Sequence, residues 1–246
     1  MKFRAYLQVL IAFSILLVIF FHFFNLIPNG FLGVDTFFLI SGFLVGGAVY
    51  TKLENNNFSI SQFYYKRIIR IIPSQIFFII LAIPLILTLP IDFRSFHFKE
   101  ILYSLISFSN IFYYRESGYF EASSDYKMFL HTWSLAVEEQ FYLLPFRLWE
   151  FLLGLSVFIF RRKMKIRYAN ILSITSFLLS FLILFTLLDI SKTILTIIFV
   201  LNLTILFLIL EYHTGKTIVK NILSSKPLQF IGNISYSLYL SHWFTF

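Results

Sequence analysis

The sequence predicts an all-α protein, a polytopic bundle of seven or eight transmembrane helices forming one domain over residues 1–246. Three observations carry that prediction. First, 59% of the 246 residues are hydrophobic and only 13% are charged, where a water-soluble domain carries about a quarter charged residues. With a mean hydropathy of +0.82, such a surface could not be wetted on every side. Second, the apolar stretches have helix length and lack alternation of period two, so they read as membrane helices rather than barrel strands. Third, the basic residues fall in the connections between these stretches, which is how cytoplasmic loops mark orientation.

Taken in order, the spans fall at 5–24, 31–50, 71–91, 171–188, 193–211 and 228–246. Two regions are less regular. Residues 101–114 are short for a bilayer that asks for about 20 residues. Residues 129–160 are long but broken by Glu138, Glu139, Pro145, Arg147 and Glu150, which suits two short or re-entrant helices covered by protein. The opening could be taken for a signal peptide, but its apolar run lacks a small-residue cleavage site, so it is read as a span.

Lys2 and Arg4 precede the first span, and Lys52, Lys66, Arg67 and Arg70 follow the second. Arg161, Arg162, Lys163, Lys165 and Arg167 come later, then Lys216, Lys220 and Lys226. Placing all of these in the cytoplasm gives a consistent alternation with the amino terminus inside. The outer connections are then 26–30, 92–100 and 189–192, and only the middle of the chain resists the scheme.

Composition also excludes. Disordered chains are poor in aromatics, whereas this one has 34 Phe, 14 Tyr and 3 Trp. The absence of Cys removes thiol catalysis, disulfides, zinc–thiolate sites and iron–sulfur clusters. A net charge of +8 is accounted for by the membrane connections, so no nucleic-acid partner is expected.

Ionisable groups at membrane depth are costly and mark candidate sites. His22, near the outer end of the first span, reads either as an interfacial anchor or as a general base whose neutral imidazole takes a hydroxyl proton. Asp35 opens the second span, and the uncharged Pro28-Asn29-Gly30 turn would return it beside His22, where it could fix the imidazole tautomer and stabilise the imidazolium. Ser41 and Gly42 read as small residues for close helix contact, ahead of a nucleophile. Arg67 and Arg70 lie one helical turn apart, which suits phosphate binding and equally suits anchoring to anionic lipid. In H-T-W-S-L-A-V-E-E-Q-F-Y (131–142), the adjacent Glu138 and Glu139 need partners or a wet recess. Arg147 and Glu150 are spaced as a helix salt bridge. The last span carries Ser235, Tyr236, Ser237, Tyr239 and His242, in part an interfacial aromatic belt.

The order of these motifs resembles the acyltransferase-3 superfamily of integral membrane acyltransferases, which includes O-antigen and other polysaccharide O-acetylases. The matching pieces are His22, G-F-L-G-V-D-T-F-F-L-I-S-G-F, K-R-I-I-R-I-I-P, T-W-S-L-A-V-E-E-Q-F-Y, F-R-L-W-E-F-L-L-G and I-S-Y-S-L-Y-L-S-H-W. The resemblance implies about ten spans, an acyl-CoA donor (acetyl-CoA in the simplest case) on the cytoplasmic side, a carbohydrate hydroxyl acceptor, and residence in a bacterial inner membrane. By that analogy His22 matches the family's catalytic histidine, Arg67 and Arg70 its donor-phosphate ligands, and Glu138 and Glu139 its acidic motif; no metal is implied.

Two departures stand out. The family usually has an arginine eleven residues before the histidine, and here that position is Ile11. Family members also carry further spans between the E-E-Q-F-Y and F-R-x-W-E motifs, where this chain has only residues 143–145, as if an internal segment were deleted. Three functions are therefore weighed: an O-acyltransferase, a degenerate relative without activity, and a transporter for a lipid-linked sugar. The last would need a midplane path, and no inverted repeat is apparent to build one.

Overall fold

The computed structural model describes residues 5–24, 26–115, 129, 132, 136, 148–160, 168–187, 190–213 and 217–241. Among the described residues the ordered elements are helices. They are α1 (Ala5–Phe24), α2 (Leu32–Ser41), a π-helical segment (Gly42–Gly46), α3 (Gly47–Glu54), α4 (Ile60–Thr88), α5 (Ile91–Leu105) and α6 (Ser109–Arg115), followed by α7 (Leu148–Phe160), α8 (Ala169–Phe185), α9 (Lys192–Tyr212), α10 (Ile218–Ile222) and α11 (Lys226–Ser241). Four stretches are long and apolar enough to cross a membrane: Ala5–His22, Leu32–Glu54, Ile60–Thr88 and Lys192–Glu211. Two shorter apolar helices, Leu148–Phe160 and Ala169–Phe185, accompany them. The protein is an integral membrane protein.

The chain divides into two compact units. Unit 1 comprises Met1–Asn57 with Phe146–Ser235, and unit 2 comprises Phe58–Pro145 with Tyr236–Phe246.

Unit 1 is a close-packed helical bundle, and glycines set how closely its helices approach. A methyl group added at Gly33 would collide with the Ser14 carbonyl and Val18, and one at Gly30 with the Leu17 carbonyl and Phe21. The return from α1 to α2 is therefore antiparallel and tight. Gly42 similarly abuts the backbone of Phe151, while Gly154 abuts Leu39 and Phe43. So α2 and α7 touch backbone to backbone, as the small Ser41-Gly42 pair suggested. Phe43 fills the space beside this crossing, its ring 4.9 Å from that of Phe207 and 5.5 Å from that of Phe158. Between α8 and α9 the glue is polar. The Asn202 amide donates to the Ser176 carbonyl and to Ser180 Oγ, each at 2.9 Å, and Ser176 Oγ donates to Asn202 Oδ1 at 2.9 Å. In lipid such bonds replace the hydrophobic drive that water would supply.

The turn at Pro28-Asn29-Gly30 is fastened rather than loose. The Asn29 side chain donates to the carbonyls of Ile183 and Thr186, both at 3.0 Å, and its backbone N–H donates to Leu184. These carbonyls lie in the last turn and C-cap of α8, where acceptors run short of i+4 donors; that of Ile183 also accepts from the Thr186 N–H. At the opposite end of unit 1, Lys220 Nζ bonds the Leu210 carbonyl at 3.2 Å and lies 5.5 Å from the centre of the Tyr6 ring. The start of α1 and the end of α9 therefore share one end of the bundle with a lysine.

Unit 2 starts with α4, capped by Ser59, whose hydroxyl accepts from the Gln62 N–H at 3.4 Å. This cap sets the helix start well ahead of the apolar run that begins near residue 71, so Arg67 and Arg70 ride on the helix itself. Pro73 and Pro84 lie within α4, as membrane helices tolerate. Ile79, Ala82 and Ile86 pack against Ile101 and Phe129, while Ile76, Phe77, Ile80 and Leu81 face outward.

Two expectations are corrected in unit 2. Residues 92–100 are not an outer turn but most of α5, and 101–114 is not one segment. The chain breaks between α5 and α6 at Ser107, whose φ of 57° is left-handed. The Ser107 N–H donates to Ser104 and the Phe108 N–H to Tyr103, a paired closure that ends a helix sharply. The charges of Asp92, Arg94, His97, Lys99 and Glu100 made this segment read as water-facing, yet α5 is inside out. His97, Glu100, Ile101 and Ser104 are buried while Ile91, Phe98 and Leu102 are exposed. A helix in water would invert that arrangement.

Candidate active site

His22 occupies the last turn of α1 with its side chain exposed, edge-on to the Phe21 ring at 5.2 Å. Asp35 lies in the first turn of α2 and is only 1% exposed. A carboxylate there gains from the helix dipole. Both residues belong to the α1–α2 pair of unit 1, whose register is set by Gly30 on Leu17 and Gly33 on Ser14. Ser41, 6% exposed, lies on α2 immediately before the π-helical segment that packs on α7. Single π turns recur at functional sites.

Ile11 is half-buried and packed against the apolar core of unit 1. The core accepts an aliphatic side chain here.

Arg67 and Arg70 belong to unit 2. On α4, Arg67 is half-buried with its guanidinium 5.7 Å from the centre of the Phe63 ring, and Arg70 is exposed. Such a contact orients the guanidinium beside the aromatic ring. His131, Glu138, Glu139, Arg147 and His242 lie outside the described residues.

Two features escaped the sequence reading. The burial of Glu150, in the first turn of α7, is complete; its spacing partner Arg147 lies outside the described residues. The second is a cluster in unit 2. His97 Nδ1 lies 2.6 Å from Glu100 Oε2, and the Tyr113 hydroxyl donates to Glu100 Oε1 at 2.7 Å. All three are buried. Burial, together with the neighbouring Glu100 carboxylate that accepts its hydrogen bond, pushes the Tyr113 phenol well above its ordinary value. The signal was present in the sequence: positions 97, 100 and 104 share a face opposite Ile91, Phe98 and Leu102, a helical period with the polar stripe inward.

Unit 1 thus carries a histidine in the last turn of α1 and a buried aspartate in the first turn of α2, and unit 2 carries two arginines one turn apart on α4. The chain belongs to the acyltransferase-3 family, whose acyltransferase domain matches residues 4–154. An uncharacterised Haemophilus influenzae protein is 39% identical over 115 residues, 45% of this chain and 46% of that protein. YrhL of Bacillus subtilis, provisionally named a peptidoglycan O-acetyltransferase, is 30% identical over 166 residues, 66% of this chain and 25% of YrhL. The O-acetyltransferase OatA of Staphylococcus aureus is 33% identical over 141 residues, 54% of this chain and 22% of OatA. The chain thus matches less than half the length of each of these relatives. No solved structure matches it.

Proposed function

We propose that this protein transfers an acyl group, acetyl in the simplest case, from acyl-CoA to a hydroxyl of a cell-surface or lipid-linked carbohydrate. The observation that carries the reading is Asp35, an acidic side chain 1% exposed within the helix pair that presents His22. Burying a carboxylate among apolar helices costs several kcal/mol unless it serves a partner or a reaction. The His22 imidazole takes the acceptor's hydroxyl proton as the oxygen attacks the thioester carbonyl. The tetrahedral intermediate collapses, the sulfur leaves, and the imidazolium returns the proton to it. Asp35 steadies the imidazolium, and the family resemblance assigns Arg67 and Arg70 to the donor phosphates and Glu138 and Glu139 to its acidic motif. The chain resides in a bacterial inner membrane with its amino terminus in the cytoplasm, a reading supported by Lys220 at the same end of unit 1 as Tyr6.

The test is acetyl transfer from labelled acetyl-CoA to surface glycan in membranes carrying the full chain. His22→Ala is expected to lower the rate by about 10²–10⁴, the usual contribution of a general base. Arg67→Gln should instead raise the KM for the donor. A His22→Ala variant as active as the parent overturns the role of His22.

A second reading is a family relative without transfer activity. It is favoured by Ile11, which packs against the apolar core at the position where the family resemblance leads to an arginine. Membranes with no transfer above background, from a chain that is folded and abundant, would establish it.

A further inference from the structure

We propose that the start of α4 holds the headgroup of an anionic phospholipid, whose phosphate meets Lys66 and Arg70 on one outward face of the helix. The inference goes beyond the transfer reading and does not rest on it. Lys66 has no part in that reading, and lipid binding needs neither donor nor acceptor.

Exposure divides α4 lengthwise. Gln75, Ile79, Ala82 and Ile86 are buried, while Ile69, Ile76, Phe77, Ile80 and Leu87 are exposed. At about 100° per residue the exposed set falls on one side of the helix, an apolar face that acyl chains cover. From Ile69 to Leu87 this stripe runs about 27 Å at helical rise, close to the ~30 Å hydrocarbon core of a bilayer. The stripe therefore measures the membrane, and its first end fixes the depth of the residues before it. Tyr65, 63% exposed, and Lys66 lie one turn above Ile69 on the same side, at headgroup level. Tyrosine is enriched at that depth.

The charge on this face has one sign. Lys66 and Arg70 are both exposed, and residues four apart on a helix are neighbours, about 5–6 Å between Cβ atoms. The sequence has no acidic residue from 55 to 91. Neither cation has a hydrogen bond or ion pair with another residue among those described. Arg67 sits differently: it is turned about 100° from Lys66 and is half-buried beside the Phe63 ring. Two arginines that look equivalent in the sequence thus separate, and only Arg70 shares the lipid-facing side with Lys66. The buried stripe also stops at Gln75, because Tyr64 and Ile68, which continue its side of the helix, are exposed. Exposed isoleucine and tyrosine mixed with cations suit the bilayer interface, where long basic side chains lay their methylenes on acyl chains and raise their charge to the headgroups. The group at that depth with the complementary charge is lipid phosphate, which attracts each lysine or arginine near it.

The chain has no cysteine, so Ile76→Cys gives a single attachment point for a bimane label on the exposed face, about 9 Å deeper than Arg70. The full chain is reconstituted in phosphatidylcholine vesicles containing either brominated phosphatidylglycerol or brominated phosphatidylcholine. Quenching by bromines on the acyl chains then gives the relative affinity of the two lipids at this face. Phosphatidylglycerol is expected to be preferred about tenfold or more, the combined pull of two cations. Lys66→Gln should cut the preference about fivefold, the share of one charge, and Lys66→Arg should keep it. Raising salt to about 1 M, where the Debye length falls to about 3 Å, should weaken it. A label at Leu178→Cys, on the exposed face of α8, should show no such preference. Equal quenching by the two lipids, the same preference at both labels, or a preference untouched by Lys66→Gln overturns the site. So does quenching by neither lipid, which would mean that a second copy of the chain covers the face, or loss of the preference on adding coenzyme A, which would make the phosphate a donor's. Acyl transfer takes no part in this measurement, so its failure and the failure of the lipid site are distinguishable.

Discussion

The two units bury their ionisable groups in opposite ways. Unit 1 distributes them: Asp35 and Glu150 each lie in the first turn of a separate helix, within a bundle held at van der Waals contact by glycines. Unit 2 concentrates them, joining His97, Glu100 and Tyr113 by two short hydrogen bonds at one corner. In unit 1 both acids sit where the helix dipole favours them, and the polar glue between α8 and α9 is neutral. In unit 2 a short helix turns its polar face inward, where hydrogen bonds join the three groups. Unit 1 should therefore be most sensitive to changes of shape, and unit 2 to changes of hydrogen-bonding chemistry.

The largest expected effect tests the first half of that comparison. At Gly154 an added Cβ would run into the backbone of Leu39 and Phe43, which cannot give way unless α2 and α7 part. Gly154→Val is expected to cost about 3 kcal/mol or more, beyond ordinary overpacking. Gly46→Ala is the control in the same unit, since its methyl would meet only side-chain atoms of Leu155 and Phe151 at 3.2 to 3.3 Å. It should cost less than about 1 kcal/mol, by the usual scale of tolerated core changes. Thermal inactivation followed by size-exclusion chromatography in detergent measures both. Equal losses would mean that the crossing is not what holds unit 1.

Chemistry should dominate in unit 2. Tyr113→Phe keeps the ring and removes the donor to Glu100, at an expected cost of about 1.5–3 kcal/mol for a hydrogen bond to a charged group. The pH dependence has a definite sign. Because the folded state holds the phenol above its ordinary value of 10, its contribution is complete below pH 10 and is lost as pH rises further. The parent should therefore lose more stability between pH 9 and about 11 than Tyr113→Phe does, as read from thermal melts across that range. Parallel losses in the two proteins would disconnect the phenol from unit 2 stability.

The same contrast explains what could be read in advance. In unit 1 the signals agreed. The apolar run over α1, the uncharged Pro28-Asn29-Gly30 turn and the small pair Ser41-Gly42 each pointed to antiparallel, close-packed spans, and α1 falls at 5–24 as expected. Asp35 was recognisable because a lone acid in G-V-D-T-F-F has no surface to occupy. The full burial of Glu150 was not, since it depends on what α7 packs against. In unit 2 local and global signals conflicted. Five ionisable residues within 92–100 mimic a wet loop, and only the phase of the polar stripe against Ile91, Phe98 and Leu102 reveals a helix with its polar face inward. The pairing of Glu100 with Tyr113 depends on the α5–α6 corner, which has neither glycine nor proline to announce it.

That corner provides the finest comparison. Both units end a helix with the same paired closure at a left-handed residue. In unit 1 it is Asn56, with φ of 52°, its N–H bonded to Leu53 and that of Asn57 to Lys52. In unit 2 it is Ser107, with φ of 57°, bonded to Ser104 and followed by Phe108 on Tyr103. Left-handed backbone costs an ordinary residue about 1–2 kcal/mol, and Asn visits it more readily than Ser. Glycine removes that strain but frees the unfolded chain, so the two terms partly cancel. Ser107→Gly is therefore expected to stabilise by about 0.5–1 kcal/mol, and Asn56→Gly by less. A Ser107→Gly variant that melts lower than its parent would mean that the serine side chain contributes more at this corner than its strained backbone costs. It would also mean that unit 2 depends on side-chain chemistry even where it turns.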